Sequence, residues 1–324
     1  MSMEDRDGLI WLDGAMVPWR EARFHLFSYT FQHGVGFFEG VRAYMGPQGS
    51  SIFRLEDHTR RFFNSAKILG MKLPFTPEEI NDAQIEVMRA NKLSRCYLRP
   101  VGFYDGQTVG VAADGNGVHV GVAAWEWDNY VTPEAQEKGI RVKTSSYSRH
   151  HLGSTLGKAK ATGHYINSML AVTEARQAGC DDALLLDIQG HVAECSTSNL
   201  FIVQGDTIHT PDTTAILEGI TRDTVICLAG DLGFKVVERK ITRDEVYCAD
   251  EAFITGTAVE VRPVIEVDGR AIGTGEPGPL TKALQEEFFA TVSGQNPKRL
   301  NWLTPVKADE EFWGSRGESA AVGF

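Results

Sequence analysis

The sequence predicts a mixed α/β fold, an α+β arrangement of largely antiparallel sheets with packed helices, and three observations carry that expectation. Tight-turn signals recur between apolar runs: Asp13-Gly14, Gln189-Gly190, Gly205-Asp206 and the stretch "VIEVDGRAI". Helical segments, one opened by an N-cap at Thr76 and others closed by Gly70, Gly179 and Gly233, are mixed among these hairpins. Turns this frequent argue against a doubly wound parallel sheet, whose strands are joined by crossover helices.

Taken in order, "LIWLDGAMVPW" is a first hairpin and "VRAYMGPQGSSIFRL" a second with a looser Gly-Pro loop. "EDHTRRFFNSAKILGM" has helical spacing, with Phe62, Ala66 and Leu69 on one face and Gly70 closing it. "PFTPEEINDAQIEVMRANK" starts a helix at an N-cap Thr76, with Pro77 at the first helical position and Glu79 completing a capping box. "CYLRPVGFY" and "GVHVGVAAWEW" are strands. The polar run at 126–138 marks a crossing between lobes, which gives a small N-terminal α/β domain at 1–128, a linker at 129–137 and a large C-terminal α/β domain at 138–324. Beyond it come a strand in "GIRVKTSSY", a helix "YINSMLAVTEARQAG" ending at Gly179, hairpins in "DALLLDIQGHVAEC" and "NLFIVQGDTIHTP", a helix "GITRDTVICLAGDLG", a strand "AFITGTA" and a closing helix "GPLTKALQEEFFATVSG". The tail after about 303 is polar and is assigned no element.

Composition narrows the functional classes. A net charge of -11 and a pI of about 5.3 weigh against nucleic acid as a partner, while leaving room for a small anion in a local basic pocket. The five cysteines, Cys96, Cys180, Cys195, Cys227 and Cys248, include no CxxC pair, so reduced thiols in a cytoplasmic protein are expected. The start of the chain lacks the basic and apolar regions of a signal peptide, and no run approaches the roughly 18 apolar residues of a membrane span. No metal site is expected: there is no HExxH, and His150 and His151 are adjacent, which in a strand sends them to opposite faces. Nucleophile-elbow, P-loop and dinucleotide fingerprints are absent as well.

What remains is a set of parts. "GKAKATGHY" carries two lysines among small residues, which leave room for a bulky partner. "EGITRD" opens a helix at Gly219, Ile220 and Thr221, a place where free N–H groups and the helix dipole favour an anion. "TGTAVE" sets Thr255, Gly256, Thr257 and Ala258 at a strand end, and Glu194 stands at the end of a hairpin strand. A lysine, a phosphate-binding helix start and a lone carboxylate are together what pyridoxal phosphate requires: an amine for the Schiff base, N–H groups for the phosphate, and an acid to keep the pyridine nitrogen protonated.

The chain resembles the branched-chain amino-acid aminotransferases of the fold-type IV pyridoxal-phosphate enzymes. The resemblance runs from about residue 8 to 302 and is carried by "FFEGVRAY", "FRLEDHTRRFFNSAK", "YLRP", "KATGHYINSMLAVTEA", "DALLLDIQGHVAECSTSNLF", "LEGITRDTVI" and "TGTAVEVRPV". It implies two lobes with the cofactor pyridoxal 5'-phosphate between them. It implies Lys160 as the Schiff-base lysine and catalytic proton shuttle, with Lys158 only a neighbour. Tyr165 would contact the phenolic oxygen, Glu194 the pyridine nitrogen, and Arg61 the phosphate. Ile220 and Thr221 would add backbone N–H groups and Thr257 a hydroxyl. On the substrate side it implies Tyr97 and Arg99 near the carboxylate, N–H groups of Thr257 and Ala258 on that carboxylate, and an aromatic wall of Phe38, Trp127 and Tyr130. The implied reaction moves an amino group from L-Leu, L-Ile or L-Val to 2-oxoglutarate by ping-pong kinetics, with amino acids and 2-oxo acids as partners in a homo-oligomer. Relatives on this fold also act on D-amino acids or (R)-amines, or cleave aminodeoxychorismate; a non-catalytic vitamin-B6-binding protein is the alternative from another class. The sequence departs from the pattern at His33, where a pocket tyrosine is common, and at Cys195 and Thr197 beside Glu194; the loop "YDGQTVGVAADGNG" offers no arginine for a second carboxylate.

Overall fold

The computed structural model describes residues 2–108, 110–127 and 138–307. The expected linker at 129–137 lies outside them. Seventeen strands are described: β1 (Leu9–Leu12), β2 (Ala15–Pro18), β3 (Gly36–Phe38), β4 (Val41–Gly46), β5 (Gly49–Phe53), β6 (Cys96–Tyr104), β7 (Val118–Glu126), β8 (Ile140–Thr144), β9 (Asp182–Leu186), β10 (Val192–Cys195), β11 (Asn199–Gln204), β12 (Thr207–Thr210), β13 (Lys235–Glu238), β14 (Glu251–Gly256), β15 (Glu260–Val267), β16 (Arg270–Ala271) and β17 (Leu303–Pro305). The helices are α1 (Tyr29–His33), α2 (Leu55–Ile68), α3 (Pro77–Ala90), α4 (Tyr165–Gln177), α5 (Ile220–Asp231), α6 (Arg243–Tyr247) and α7 (Pro279–Val292).

Two sheets organise them. The first has eight strands in the order β17-β5-β4-β6-β7-β1-β2, with β3 beside β6; the second has nine in the order β10-β9-β8-β15-β14-β11-β12-β13, with β16 beside β15. Pairing is mostly antiparallel, as expected; the parallel pairs are β8–β9, β8–β15 and β12–β13. The predicted turns form where left-handed backbone is available: Asp13 and Gly14 have φ of 49° and 92°, and Asp268 and Gly269 have 51° and 75°. Thr76 accepts from the Glu79 N–H while Glu79 accepts from the Thr76 N–H, which is the capping box read from sequence.

Each sheet buries its own apolar face. Phe37, Ile52, Phe62, Ile80, Met88 and Leu98 pack between the first sheet and α2 and α3. Phe201 and Phe253 of the second sheet cluster with Val225 and Leu228 of α5 and Leu284 and Phe288 of α7, and Phe53 of β5 joins this cluster, so one core crosses from lobe to lobe. The end of the chain departs from the expectation of no element after about 303: Leu303–Pro305 is an edge strand on β5, and the Arg54 N–H donates to the Trp302 carbonyl at 2.7 Å. A three-residue strand has too short a pattern to stand out; packing of Trp302 on Phe53 and Arg54 supplies what propensity does not. The adjacent His150 and His151 are not in a strand, and among the described residues no metal-binding cluster exists. Among them, too, no helix is long and apolar enough to cross a membrane.

Candidate active site

A cleft of about 490 Å³ opens between the lobes and brings together Arg61, Lys160, Tyr165, Glu194, Ile220, Thr221 and Thr257. Each arrives for a local reason. Lys160 lies in the segment that leads into α4, and both lobes hold its backbone. Its N–H donates to Ser65 Oγ of α2 at 3.0 Å, and its carbonyl accepts from the Phe38 N–H of β3 at 3.1 Å. Flanking Ala159 and Ala161 are buried, so the small residues of "GKAKATGHY" pack inward while the lysine between them faces the cleft. Lys160 Nζ bonds the Tyr165 hydroxyl at 2.9 Å. Lys158 goes elsewhere: its Nζ pairs with Glu218 Oε1 at 2.6 Å and with the Thr213 carbonyl, and it is 39% exposed. Two residues of register separate a cleft lysine from a surface ion pair.

Glu194 reaches the cleft because the register of β10 on β9 shifts between Val192 and Glu194, a bulge that re-aims the side chain. Its carboxylate is buried, with Oε1 at 2.6 Å from Arg149 Nε and Oε2 accepting from Asn199 Nδ2 at 3.3 Å and the Leu217 N–H at 3.4 Å. Burial pushes the Glu194 carboxyl above the usual carboxylate range; the Arg149 guanidinium works against that rise without cancelling it.

The start of α5 forms one end of the cleft. Gly219 caps it, and a Cβ there would fall 2.0 Å from Asn199 Oδ1, so any other residue would displace the Asn199 amide. The first N–H groups of a helix have no intrahelical acceptor, and here they belong to Ile220 and Thr221. Ser198 Oγ and Thr255 Oγ1 line the same cleft, buried and without a hydrogen-bond partner. Hydroxyls in that condition mark a place for a polar ligand or water. Arg61 stands over this end on α2: its Nη1 donates to the Glu218 carbonyl at 2.8 Å, while Nε and Nη2 donate to Glu39 at 2.7 and 2.8 Å.

Of the residues expected on the substrate side, Phe38, Tyr97, Arg99 and Trp127 touch one another. The Phe38 ring lies 4.8 Å from Tyr165, the Arg99 guanidinium sits 4.5 Å above Phe38, and Tyr97 stacks on Trp127 at 4.7 Å. Arg99 Nη2 donates to the Tyr97 hydroxyl at 3.4 Å. Thr257 and Ala258 occupy the turn from β14 to β15, and Thr257 lines the cleft. Tyr130 lies outside the described residues. His33 is exposed and stacks on Tyr29 at 4.3 Å, away from the cleft, because α1 ends there and Gly34 turns the chain. Cys195 is buried and its thiol is pushed well up by burial, whereas Thr197 lines the cleft.

Sequence reasoning missed Glu39, His58, Arg149 and Asn199. Glu39 had a signal, since a lone carboxylate between Phe38 and Gly40 in an apolar run demands a buried partner. Arg149, beside two histidines in an irregular segment, had none.

A family model described as amino-transferase class IV matches residues 36–267. A branched-chain-amino-acid aminotransferase from Pseudomonas aeruginosa is 52% identical over 95% of this chain and 100% of its own, and one from Escherichia coli K12 is 38% identical over 92% and 97%. The crystal structure of the T.th. branched-chain amino acid aminotransferase with pyridoxamine 5'-phosphate superposes with a TM-score of 0.91 at 47% identity, covering 93% of this chain and 99% of that one.

Proposed function

The chain belongs to the class IV amino-transferase family, and on that premise we propose that it is a pyridoxal-phosphate-dependent transaminase moving the amino group of L-Leu, L-Ile or L-Val to 2-oxoglutarate with ping-pong kinetics. The observation that carries this reading is the meeting of Lys160, Tyr165, Glu194, Arg61 and the start of α5 on one cleft. Pyridoxal phosphate fits the donor set. Partnerless hydroxyls of Ser198 and Thr255 beside the α5 N-terminus suit a phosphate, Arg61 adds a cation, and a buried acid lies within the same walls. Arg61, Ile220, Thr221 and Thr257 would hold the phosphate, Tyr165 the phenolic oxygen, Glu194 the ring nitrogen, and Lys160 the aldehyde carbon.

When bound, the cofactor supplies an electron sink that stabilises negative charge on the substrate α-carbon. Lys160 Nζ holds and moves the α-proton, first as general base and then as acid, with the Tyr165 hydroxyl 2.9 Å away to orient it. Arg149 opposes protonation of Glu194, so the carboxylate can face a cationic ring nitrogen. Phe38, Tyr97 and Trp127 offer apolar surface to an aliphatic side chain, and Arg99 beside them a cation for its carboxylate. The N–H groups of Thr257 and Ala258 would bind that carboxylate as well.

The domains of this reading are 1–128 and 138–324, it is cytoplasmic, and neither nucleic acid nor membrane is a partner. It works as a homodimer or a multiple of dimers. An apolar groove lined by Phe24, Phe31, Phe103 and Ile166, with Phe31 69% and Ile166 60% exposed, supports burial against a second copy. Thr162 and Gly163 line that groove two and three residues after Lys160, so a contact there would lie beside the site.

A half-reaction panel tests the function. The cofactor-loaded protein is mixed with single amino donors, and decay of the lysine-bound cofactor absorbance is followed. L-leucine, L-isoleucine and L-valine are expected to react fastest. Faster reaction with (R)-1-phenylethylamine or D-amino acids refutes the substrate assignment, and no reaction with any donor refutes transamination.

A further inference from the structure

We propose that Glu39 is a positioning residue that aims Arg61 at the cofactor phosphate. The inference rests on the reading that Arg61 contacts the phosphate of pyridoxal phosphate.

Glu39 is fully buried, and its two oxygens accept from Arg61 Nε and Nη2 at 2.7 and 2.8 Å. A third donor, His58 Nδ1, lies 2.8 Å from Oε2. Burial acts to raise the Glu39 carboxyl, but the charge and hydrogen bonds of Arg61 and the hydrogen bond of His58 outweigh it and hold the group ionised. His58 itself is pushed toward its neutral form by burial and donates to Glu39 without adding a charge. The pair is therefore a buried carboxylate and guanidinium in fork-to-fork contact.

A site selected for positive charge alone would leave Arg61 unpaired, because Glu39 cancels that charge. What Glu39 contributes is direction. It occupies one edge of the guanidinium, and the Glu218 carbonyl takes a third N–H from Nη1. A guanidinium has five N–H groups, so one remains on each terminal nitrogen. Glu218 immediately precedes Gly219, which caps α5. Arg61 is thus fixed beside the helix start whose N–H groups suit an anion.

The same tripeptide serves the other end. Phe38 packs on Tyr165 and beneath Arg99. Gly40 leaves space for Tyr97, whose hydroxyl would lie 1.8 Å from a Cβ added there. Glu39 is anchored between them by its N–H on the Pro100 carbonyl at 2.9 Å. Three successive residues therefore touch the aromatic wall, the arginine and the tyrosine.

The test compares binding of pyridoxal phosphate and of pyridoxal, which lacks the phosphate, to the full-length protein freed of cofactor. Arg61→Gln, Glu39→Gln, Glu39→Asp and the Arg61→Gln/Glu39→Gln double variant are measured beside the parent. Glu39→Gln is expected to lower the preference for the phosphorylated ligand by roughly tenfold to a hundredfold, the equivalent of one charge-assisted hydrogen bond, with pyridoxal affinity little changed. In the Arg61→Gln background the same substitution is expected to have no further effect. A merely structural role lowers both affinities together and overturns the proposal, as does an unchanged or increased preference in Glu39→Gln while Arg61→Gln lowers it. If Arg61→Gln itself leaves the preference unchanged, the phosphate reading of Arg61 fails and the proposal fails with it. Should Glu39→Gln not fold, Glu39→Asp decides: it keeps the charge but is too short to reach both Arg61 and His58, and an unchanged preference there overturns the proposal.

Discussion

Replacing Arg149 by methionine removes the cation that faces Glu194 and leaves a buried carboxylate with two weak donors at 3.3 and 3.4 Å. Breaking a buried pair on one side costs about 3–5 kcal/mol. Proton uptake sets a ceiling on that cost. Keeping an ordinary glutamate protonated at about pH 8, against a free value near 4.3, costs about 5 kcal/mol at about 1.36 kcal/mol per pH unit. At about pH 5 the same ceiling is only about 1 kcal/mol. The sign follows from linkage. Glu194 is raised in the folded chain, so it contributes stability that is fully present below the unfolded value and is lost as the pH rises toward the folded one. Without Arg149 the rise is larger and that loss extends further. Urea unfolding of the cofactor-free variant is therefore expected to show a loss of about 3–5 kcal/mol near pH 8 and about 1 kcal/mol or less near pH 5. Adding Glu194→Gln should flatten the difference. An equal loss at both pH values refutes the view that Arg149 governs the ionisation of Glu194.

Lys160→Ala is expected to abolish turnover and the lysine-bound cofactor absorbance, whereas Lys158→Ala keeps both; its exposed pair with Glu218 is worth at most about 1 kcal/mol, which a melting curve reads. Gly40→Ala places a methyl 1.8 Å from the Tyr97 hydroxyl, so KM for the amino donor should rise about tenfold or more through the displaced ring, while cofactor affinity stays near that of the parent. Ile166→Glu puts a charge in the exposed apolar groove and should shift the protein toward monomer in sedimentation velocity. An unchanged sedimentation coefficient removes that groove from the interface.

Much of the fold was legible because it rests on local signals. Asp13-Gly14 and Asp268-Gly269 demand left-handed backbone and receive it, and the Thr76 capping box needs only four consecutive residues. Lys160, Glu194 and the start of α5 were legible through motifs that keep register. β13 and β17 were not, since strands of four and three residues take their pairing from distant partners. Arg149 and His58 were also out of reach. Nothing in "SRHH" says that its arginine meets a carboxylate 45 residues on, where the chain brings Glu194 to a bulge. Glu39 was the near miss, visible as a misplaced charge yet without any clue to its partners.

The edge strand β17 has a bearing on synthesis. The first sheet is otherwise made from residues that leave the ribosome early, yet β5 gains its outer neighbour only when residues 303–305 emerge. Until then the nascent N-terminal lobe carries an unpaired edge along Ser51–Phe53, a template for pairing with other chains. This ladder joins Ser51–Phe53 to Leu303–Pro305 across the whole of the second sheet's sequence, which slows completion of the first lobe relative to vectorial, lobe-by-lobe folding. A nascent chain stalled before Leu303 is thus expected to be more prone to associate than the finished one, although every residue of the cleft is already in place.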